Sequence, residues 1–162
     1  MNLGKVISIA IAPERTGALY NVESVNALAG IGLEGDRYYN RLGTYSGKHN
    51  ESREVTLIET EALEALERDY GHAITAAESR RNIATRGIAL NHLVGKQIRI
   101  GDAVLRGIRL CEPCGHLEQL AGLPIREGLI HRGGLRAQIL RSGIIRVGDA
   151  ILSEAERDQG TV

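Results

Sequence analysis

Apolar residues along this chain recur mostly at short, strand-like spacing, and one stretch alone carries a clear helical period. Lys5–Ala12 reads as a first strand, because Val6, Ile7, Ile9 and Ile11 are β-branched and closely spaced, and Pro13 ends the run. Val25–Leu28 and Glu54–Ile58 read as further strands. Thr60 then suits a helix N-cap and Glu61 the positive end of a helix. Ala62, Leu63, Leu66 and Tyr70 follow on one helical face, and Gly71 is a natural terminator. Shorter helices are predicted over Thr75–Ser79 and Leu117–Ala121. Two near-copies of one pattern, Arg99-Ile100-Gly101-Asp102-Ala103-Val104-Leu105 and Arg146-Val147-Gly148-Asp149-Ala150-Ile151-Leu152, each place Gly-Asp between apolar runs and predict two hairpins. Two copies are too few for a repeat array.

No segment shows the regular strand–helix alternation of a parallel α/β fold. The pattern predicts a mainly β domain over residues 1–152, a strand-rich, partly closed antiparallel β-barrel with a few peripheral helices, followed by a polar tail over 153–162. The Tyr38–Arg53 stretch is polar and rich in Gly, Asn, Ser and Tyr, which marks it as a surface loop and a candidate lid.

Composition narrows this picture. At 162 residues the chain can bury a sizeable core, but it has no Phe and no Trp, so Leu, Ile, Val and Ala must supply it. Twenty basic residues balance twenty acidic ones. Such a chain has no global pull toward nucleic acid or an anionic membrane, and any anion site must be a local arrangement of arginines. No apolar run is long enough to span a bilayer, and Met1–Val6 lacks the features of a secretory signal. The expected location is cytoplasmic.

Four short clusters carry the candidate chemistry. In Cys111-Glu112-Pro113-Cys114, the two cysteines are too close for a disulfide to staple the fold and too few to complete a zinc site. A redox dithiol, a partial metal site, a single functional thiol and two buried thiols all remain open. A thiol just ahead of a helix is the most reactive of these arrangements, since the helix start favours thiolate. Ser79-Arg80-Arg81-Asn82-Ile83 offers guanidinium forks for a phosphate and an amide for a ring edge, or else forms a solvated basic turn. Gly32-Leu33-Glu34-Gly35-Asp36-Arg37 sets glycines beside charges, which suits either close approach to a ligand or a turn with an internal ion pair. His131-Arg132-Gly133-Gly134-Leu135 marks a tight approach of backbone just ahead of a strand, with His131 as a candidate ligand contact.

These clusters, in this order, together with Glu54–Ile58 and the closing Val147-Gly148-Asp149, resemble the MOSC domain, named for the C-terminal domain of molybdenum cofactor sulfurases. The resemblance implies a β-barrel core and a molybdenum cofactor (molybdopterin carrying Mo) held by its phosphate and ring. It places the cysteine that ligates molybdenum or carries sulfur at Cys114, with Cys111 as a neighbour and a candidate resolving thiol. It places the family's arginine–x–asparagine pattern on Arg80 and Asn82 and its aspartate–arginine pair on Asp36 and Arg37. Arg132, Gly133 and Gly134 become further cofactor contacts. Tyr38 stands where many relatives have His, and the expected type is a stand-alone bacterial-type member without the additional N-terminal β-barrel domain of larger reductases and sulfurases.

Two functions follow from the resemblance. One is a molybdenum-cofactor-dependent oxidoreductase that reduces N-hydroxylated or N-oxygenated small molecules, supplied with electrons by separate electron-transfer proteins. The other is a sulfur carrier, with a persulfide on Cys114 received from a PLP-dependent cysteine desulfurase. Thiolate as a soft ligand and arginines as a grip for phosphate suit the cofactor independently of the resemblance. Neither function calls for nucleic acid or a membrane.

Overall fold

The computed structural model describes residues 3–14, 17–36, 53–113 and 115–153. A long first strand organises the chain: β1 (Leu3–Ile11) pairs with three partners in succession. Its start pairs with β11 (Ala150–Ser153), its middle with β6 (Ile83–Arg86) and its end with β2 (Tyr20–Val22). A register shift between Val6 and Ser8 bends it between these partners. Around the sheet the order continues from β11 through β7 (Gln97–Ile100), β8 (Ala103–Leu110), β9 (Leu135–Arg141) and β5 (Val55–Glu59) to β6, and the β1–β11 pairing closes seven strands into a barrel. A second sheet, β10 (Gly143–Arg146), β3 (Ser24–Leu28) and β4 (Gly32–Leu33), packs on β8 and β9. Val25, Ala27, Leu33 and Ile145 from this sheet join the barrel's aliphatic interior in one continuous core. Among the described residues, no helix is long and apolar enough to cross a membrane.

The strand-rich barrel is the expected one, with two refinements. Closure is complete, and one neighbouring pair, β5–β6, is parallel because α1 (Thr60–Tyr70) crosses over between them. The long helix ends as anticipated, with Gly71 at φ 74° donating its N–H to the Glu67 carbonyl. Its N-cap is Glu59 rather than Thr60. Strand β5 runs straight into the helix, so the last extended residue is Glu59, at φ −76° and ψ 131°, and Thr60 is already helical. Leu63 of α1 packs with Ile58 and Ala84, while Leu66 packs with Leu117, Ile125 and Leu129. Through Leu117 the helix also braces α2 (Gly115–Ala121), which matches the predicted third helix.

The Thr75–Ser79 helix does not form; hydrogen-bonded turns occupy 76–80. Thr75 and Glu78 bond reciprocally, the Thr75 N–H to Glu78 Oε1 at 2.9 Å and the Glu78 N–H to Thr75 Oγ1 at 3.1 Å. That capping box closes one turn, which Arg80 ends by adopting φ 61°.

The two Gly-Asp copies also part ways. The first makes the β7–β8 hairpin, with Ile100 opposite Ala103. The second makes no hairpin: β10 pairs with β3, and β11 pairs with β7 and β1. Around this second turn, the Val147 N–H goes to the Glu23 carbonyl and the Gly148 N–H to the Val6 carbonyl, at 3.0 and 2.8 Å. These bonds split the flanking strands between two sheets. Ser153, expected in the tail, is the last residue of β11; 154–162 lie outside the described residues.

Candidate functional site

The sequence-distant clusters meet where β1 and β8 end and β6 and β9 begin, and two adjacent residues, Arg81 and Asn82, join them. The Asn82 carboxamide oxygen accepts from the Thr56 N–H and hydroxyl, both at 3.1 Å. Its amide nitrogen donates to the Ala10 carbonyl at 3.0 Å and to Asp36 Oδ1 at 3.4 Å. Asp36 Oδ1 also accepts from the Ala12 N–H at 3.0 Å. Asp36 and Asn82 are 0% and 2% exposed, so their visible work is internal: they tie the loop after β4 to β1, β5 and the start of β6. Buried polar groups are kept when their hydrogen bonds are made, and the Asn82 side chain and Asp36 Oδ1 make theirs across four segments.

Arg81 performs the second tie. It is buried, and its guanidinium donates from Nε to the Gly133 carbonyl at 2.7 Å, from Nη2 to the Cys111 carbonyl at 3.2 Å and from Nη1 to the Ser79 carbonyl at 3.4 Å. The cysteine segment and the Gly133–Gly134 turn are thereby held by one side chain. Both glycines are needed for backbone approach. A Cβ on Gly133 would run into the Cys111 carbonyl and lie 2.9 Å from Pro113 Cδ. A Cβ on Gly134, at φ 113°, would run into the Leu57 carbonyl. The Cys111 N–H extends the β8–β9 ladder onto the Gly134 carbonyl at 2.7 Å. The Cys111 thiol is free and 1% exposed, which removes it from contact with solvent.

Arg80 is half-buried and donates to the Gly17 carbonyl at 2.8 Å. The rim is formed by His131 and Arg132, both exposed. His131, at φ 61°, is gripped by Glu112, which accepts from the His131 N–H and faces its Nδ1, each at 2.7 Å. Glu59, at the end of β5, accepts from the Leu90 N–H at 3.2 Å. Burial raises its pKa above the usual glutamate range and Glu61 adds to this, against the Leu90 N–H and the nearby Arg132 and His92 charges.

Of the predicted site residues, Asp36, Arg80, Asn82, Arg132, Gly133 and Gly134 therefore fall in this one region, as interior ties (Asp36, Asn82, Gly133, Gly134), a half-buried guanidinium (Arg80) and a rim cation (Arg132). Arg37, Cys114 and the candidate lid except Arg53 lie outside the described residues; the chain neighbours of Cys114 are Pro113, packed by Gly133, and Gly115, the first residue of α2. Arg81 and Glu112 were not singled out by the family pattern. Adjacent arginines cannot be told apart by sequence; both precede β6, where Arg80 ends the 76–80 turn at φ 61° and Arg81 is buried against the Gly133 and Cys111 carbonyls.

Comparison with known proteins identifies the family and the fold. The MOSC domain family model matches residues 44–152, about two thirds of the chain. No curated protein matches. Among solved structures, the YuaD protein from Bacillus subtilis is similar with a TM-score of 0.77 at 19% identity, covering 92% of this chain and 94% of its own. YiiM from Geobacillus stearothermophilus gives a TM-score of 0.71 at 17% identity, covering 93% of this chain and 74% of its own. YiiM from Escherichia coli gives 0.66 at 16%, covering 92% and 69%. At these identities the structures speak for the fold, and the family model for the family: the chain belongs to the MOSC domain family.

Proposed function

We propose that this protein binds a molybdenum cofactor through Cys114 and reduces N-hydroxylated or N-oxygenated small molecules. The observation that carries this reading is the family match over 44–152, a stretch that contains the cysteine segment, the Arg80–Asn82 segment and the Arg132–Gly134 turn. The donor chemistry fits the cofactor: a thiol is a soft ligand for the metal, and guanidinium groups suit its phosphate. Arg132 is exposed beside the Gly133–Gly134 turn, so it can reach a bound anion without leaving a buried partner.

In this reading Cys114 holds the metal, and Arg37, Arg80 and Arg132 hold the phosphate. Asp36, Asn82, Gly133 and Gly134 act through the backbone they secure, and Arg81 fixes the cysteine segment against the glycine turn. When bound, the cofactor supplies the two-electron reduction that splits an N–O bond, and its electrons come from a separate electron-transfer protein. Burial of Cys111 supports a single working thiol over a dithiol exchange, because a resolving thiol must be reachable.

Metal analysis and pterin fluorescence on protein made in cells able and unable to build the cofactor test the reading. Stoichiometric molybdenum that is lost on Cys114→Ala supports it. Cyanide-labile sulfur without molybdenum would replace it with the sulfur-carrier role and a cysteine desulfurase partner. Absence of molybdenum, pterin and labile sulfur would remove both.

A further inference from the structure

Glu59 stands at the N-cap of α1 without serving as a cap, since its side chain makes no bond to that helix start. The carboxylate turns instead to the 3-10 turn Leu90–Leu93 and accepts the Leu90 N–H at 3.2 Å. The same turn reaches the rim of the candidate site, where Asn91 Nδ2 donates to the His131 carbonyl at 2.7 Å. Leu90 and Leu93 are buried in the core, so the turn holds both contacts at a fixed spacing.

Strand register brings Arg132 to the same place. Leu135 stands opposite Leu57, and Gly134 lies against Leu57 and Ile58. The turn ahead of β9 therefore runs beside the end of β5, where Glu59 stands. Arg132 is exposed, and its guanidinium forms no ion pair among the described residues. Its charge nevertheless acts on Glu59, together with His92 of the 3-10 turn, while Glu61 of α1 opposes them. Asp69, near the end of α1, also lies in the field of Arg132, but its carboxylate is taken by Arg68 at 2.7 and 2.8 Å.

Burial disfavours the Glu59 charge, and the pull of Arg132 offsets part of that penalty. One guanidinium cannot serve two anions at full strength. An oxyanion seated on Arg132 cancels the positive charge that favours ionised Glu59 and sets a negative one near it. By linkage the converse holds equally: a neutral Glu59 leaves Arg132 to the oxyanion.

We propose that Glu59 is a positioning residue of the anion site: it competes with a bound oxyanion, such as a phosphate monoester, for Arg132, so that binding the anion draws a proton onto Glu59. That Arg132 grips the anion rests on the function proposed above; the competition rests on the placement of Glu59, the 3-10 turn and Arg132. A ligand held at several points supplies the work of protonating Glu59, whereas a stray anion meets the carboxylate's field.

Sulfate is the probe on the full chain, because it stays doubly charged across the range in which glutamate titrates. Calorimetry in buffers of different ionisation enthalpy reads the protons taken up per sulfate bound. The parent should take up a fraction of a proton and bind sulfate about threefold more tightly with Glu59 neutral than with it ionised. Glu59→Gln keeps an acceptor for the Leu90 N–H and removes the charge, so it should bind as the neutral parent does, without that uptake. His92 and His131 are common to both proteins and cancel in the comparison. In 13C-glutamate spectra at matched ionic strength, sulfate should raise the Glu59 titration midpoint where chloride does not, and Arg132→Gln should abolish both that response and the binding. Absence of sulfate binding, binding that persists in Arg132→Gln, or equal proton uptake in Glu59→Gln and parent would overturn the coupling while molybdenum on Cys114 still stood. Proton-linked sulfate binding in protein that never takes up molybdenum would uphold the coupling and remove the function proposed above.

Discussion

Replacing Arg81 with Met tests whether one buried guanidinium holds the cysteine segment to the glycine turn. The substitution keeps a long side chain in the interior but removes the donors to the Gly133 and Cys111 carbonyls, at 2.7 and 3.2 Å, and the weaker one to Ser79 at 3.4 Å. Hydrogen bonds from a charged donor contribute about 1.5–3 kcal/mol each, so loss of the two good ones is worth about 3–6 kcal/mol. Water that reaches the abandoned carbonyls would offset part of this, which favours the lower end. A domain stable by about 5–15 kcal/mol would remain folded. Arg81→Lys restores the charge but presents a point donor in place of a fork, and should recover about half of the loss. Urea unfolding reads the magnitude. Labelling of the Cys111 thiol in a Cys114→Ser background reads the location, because that thiol is 1% exposed and should react slowly until the tie is cut. A destabilisation below about 1 kcal/mol, with Cys111 as protected as in the parent, would refute the role given to Arg81.

Three further outcomes follow from the same geometry. Gly133→Ala drives a Cβ into the Cys111 carbonyl and against Pro113, backbone that cannot swing aside, and should cost about 1–3 kcal/mol in thermal or urea unfolding with faster Cys111 labelling; wild-type behaviour would place the glycine requirement elsewhere. Glu59 has a raised pKa in the folded state, first through burial, so folding binds its proton more tightly and stability is lost as pH rises from the ordinary glutamate range through the folded value. Glu59→Gln should therefore become more stable relative to the parent as pH rises from the ordinary glutamate range upward, and a stability difference that is flat or falls with pH would contradict this. Gly134→Ala, at φ 113° and against the Leu57 carbonyl, should be at least as damaging as Gly133→Ala by the same unfolding measurement.

Much of the framework was readable before any coordinates. Apolar residues at strand spacing marked β1, β3 and β5, and the one helical stripe marked α1 with its Gly71 terminus, because local periodicity and glycine's access to positive φ act within a few residues. Residues that the motif order marked, Asp36, Asn82, Gly133 and Gly134, converge in the fold. Their division of labour was not readable. Asp36 and Asn82 turned inward to bond β1 and β5, and Arg81 rather than Arg80 took the central tie, because which of two neighbouring side chains faces the interior depends on strands far away in sequence.

The two Gly-Asp copies separate the local from the tertiary contribution. By itself the sequence determined that each would make a turn, and each has a positive-φ glycine, Gly101 at 56° and Gly148 at 93°. Only the first became a hairpin. Around the second, Glu23 and Val6 accept the backbone hydrogens, sending β10 to β3 and β11 to close the barrel on β1. A turn depends on a few dihedral angles, which neighbouring residues set. Strand pairing depends on which other edges remain unsatisfied when the barrel closes, and no single window of sequence contains that information.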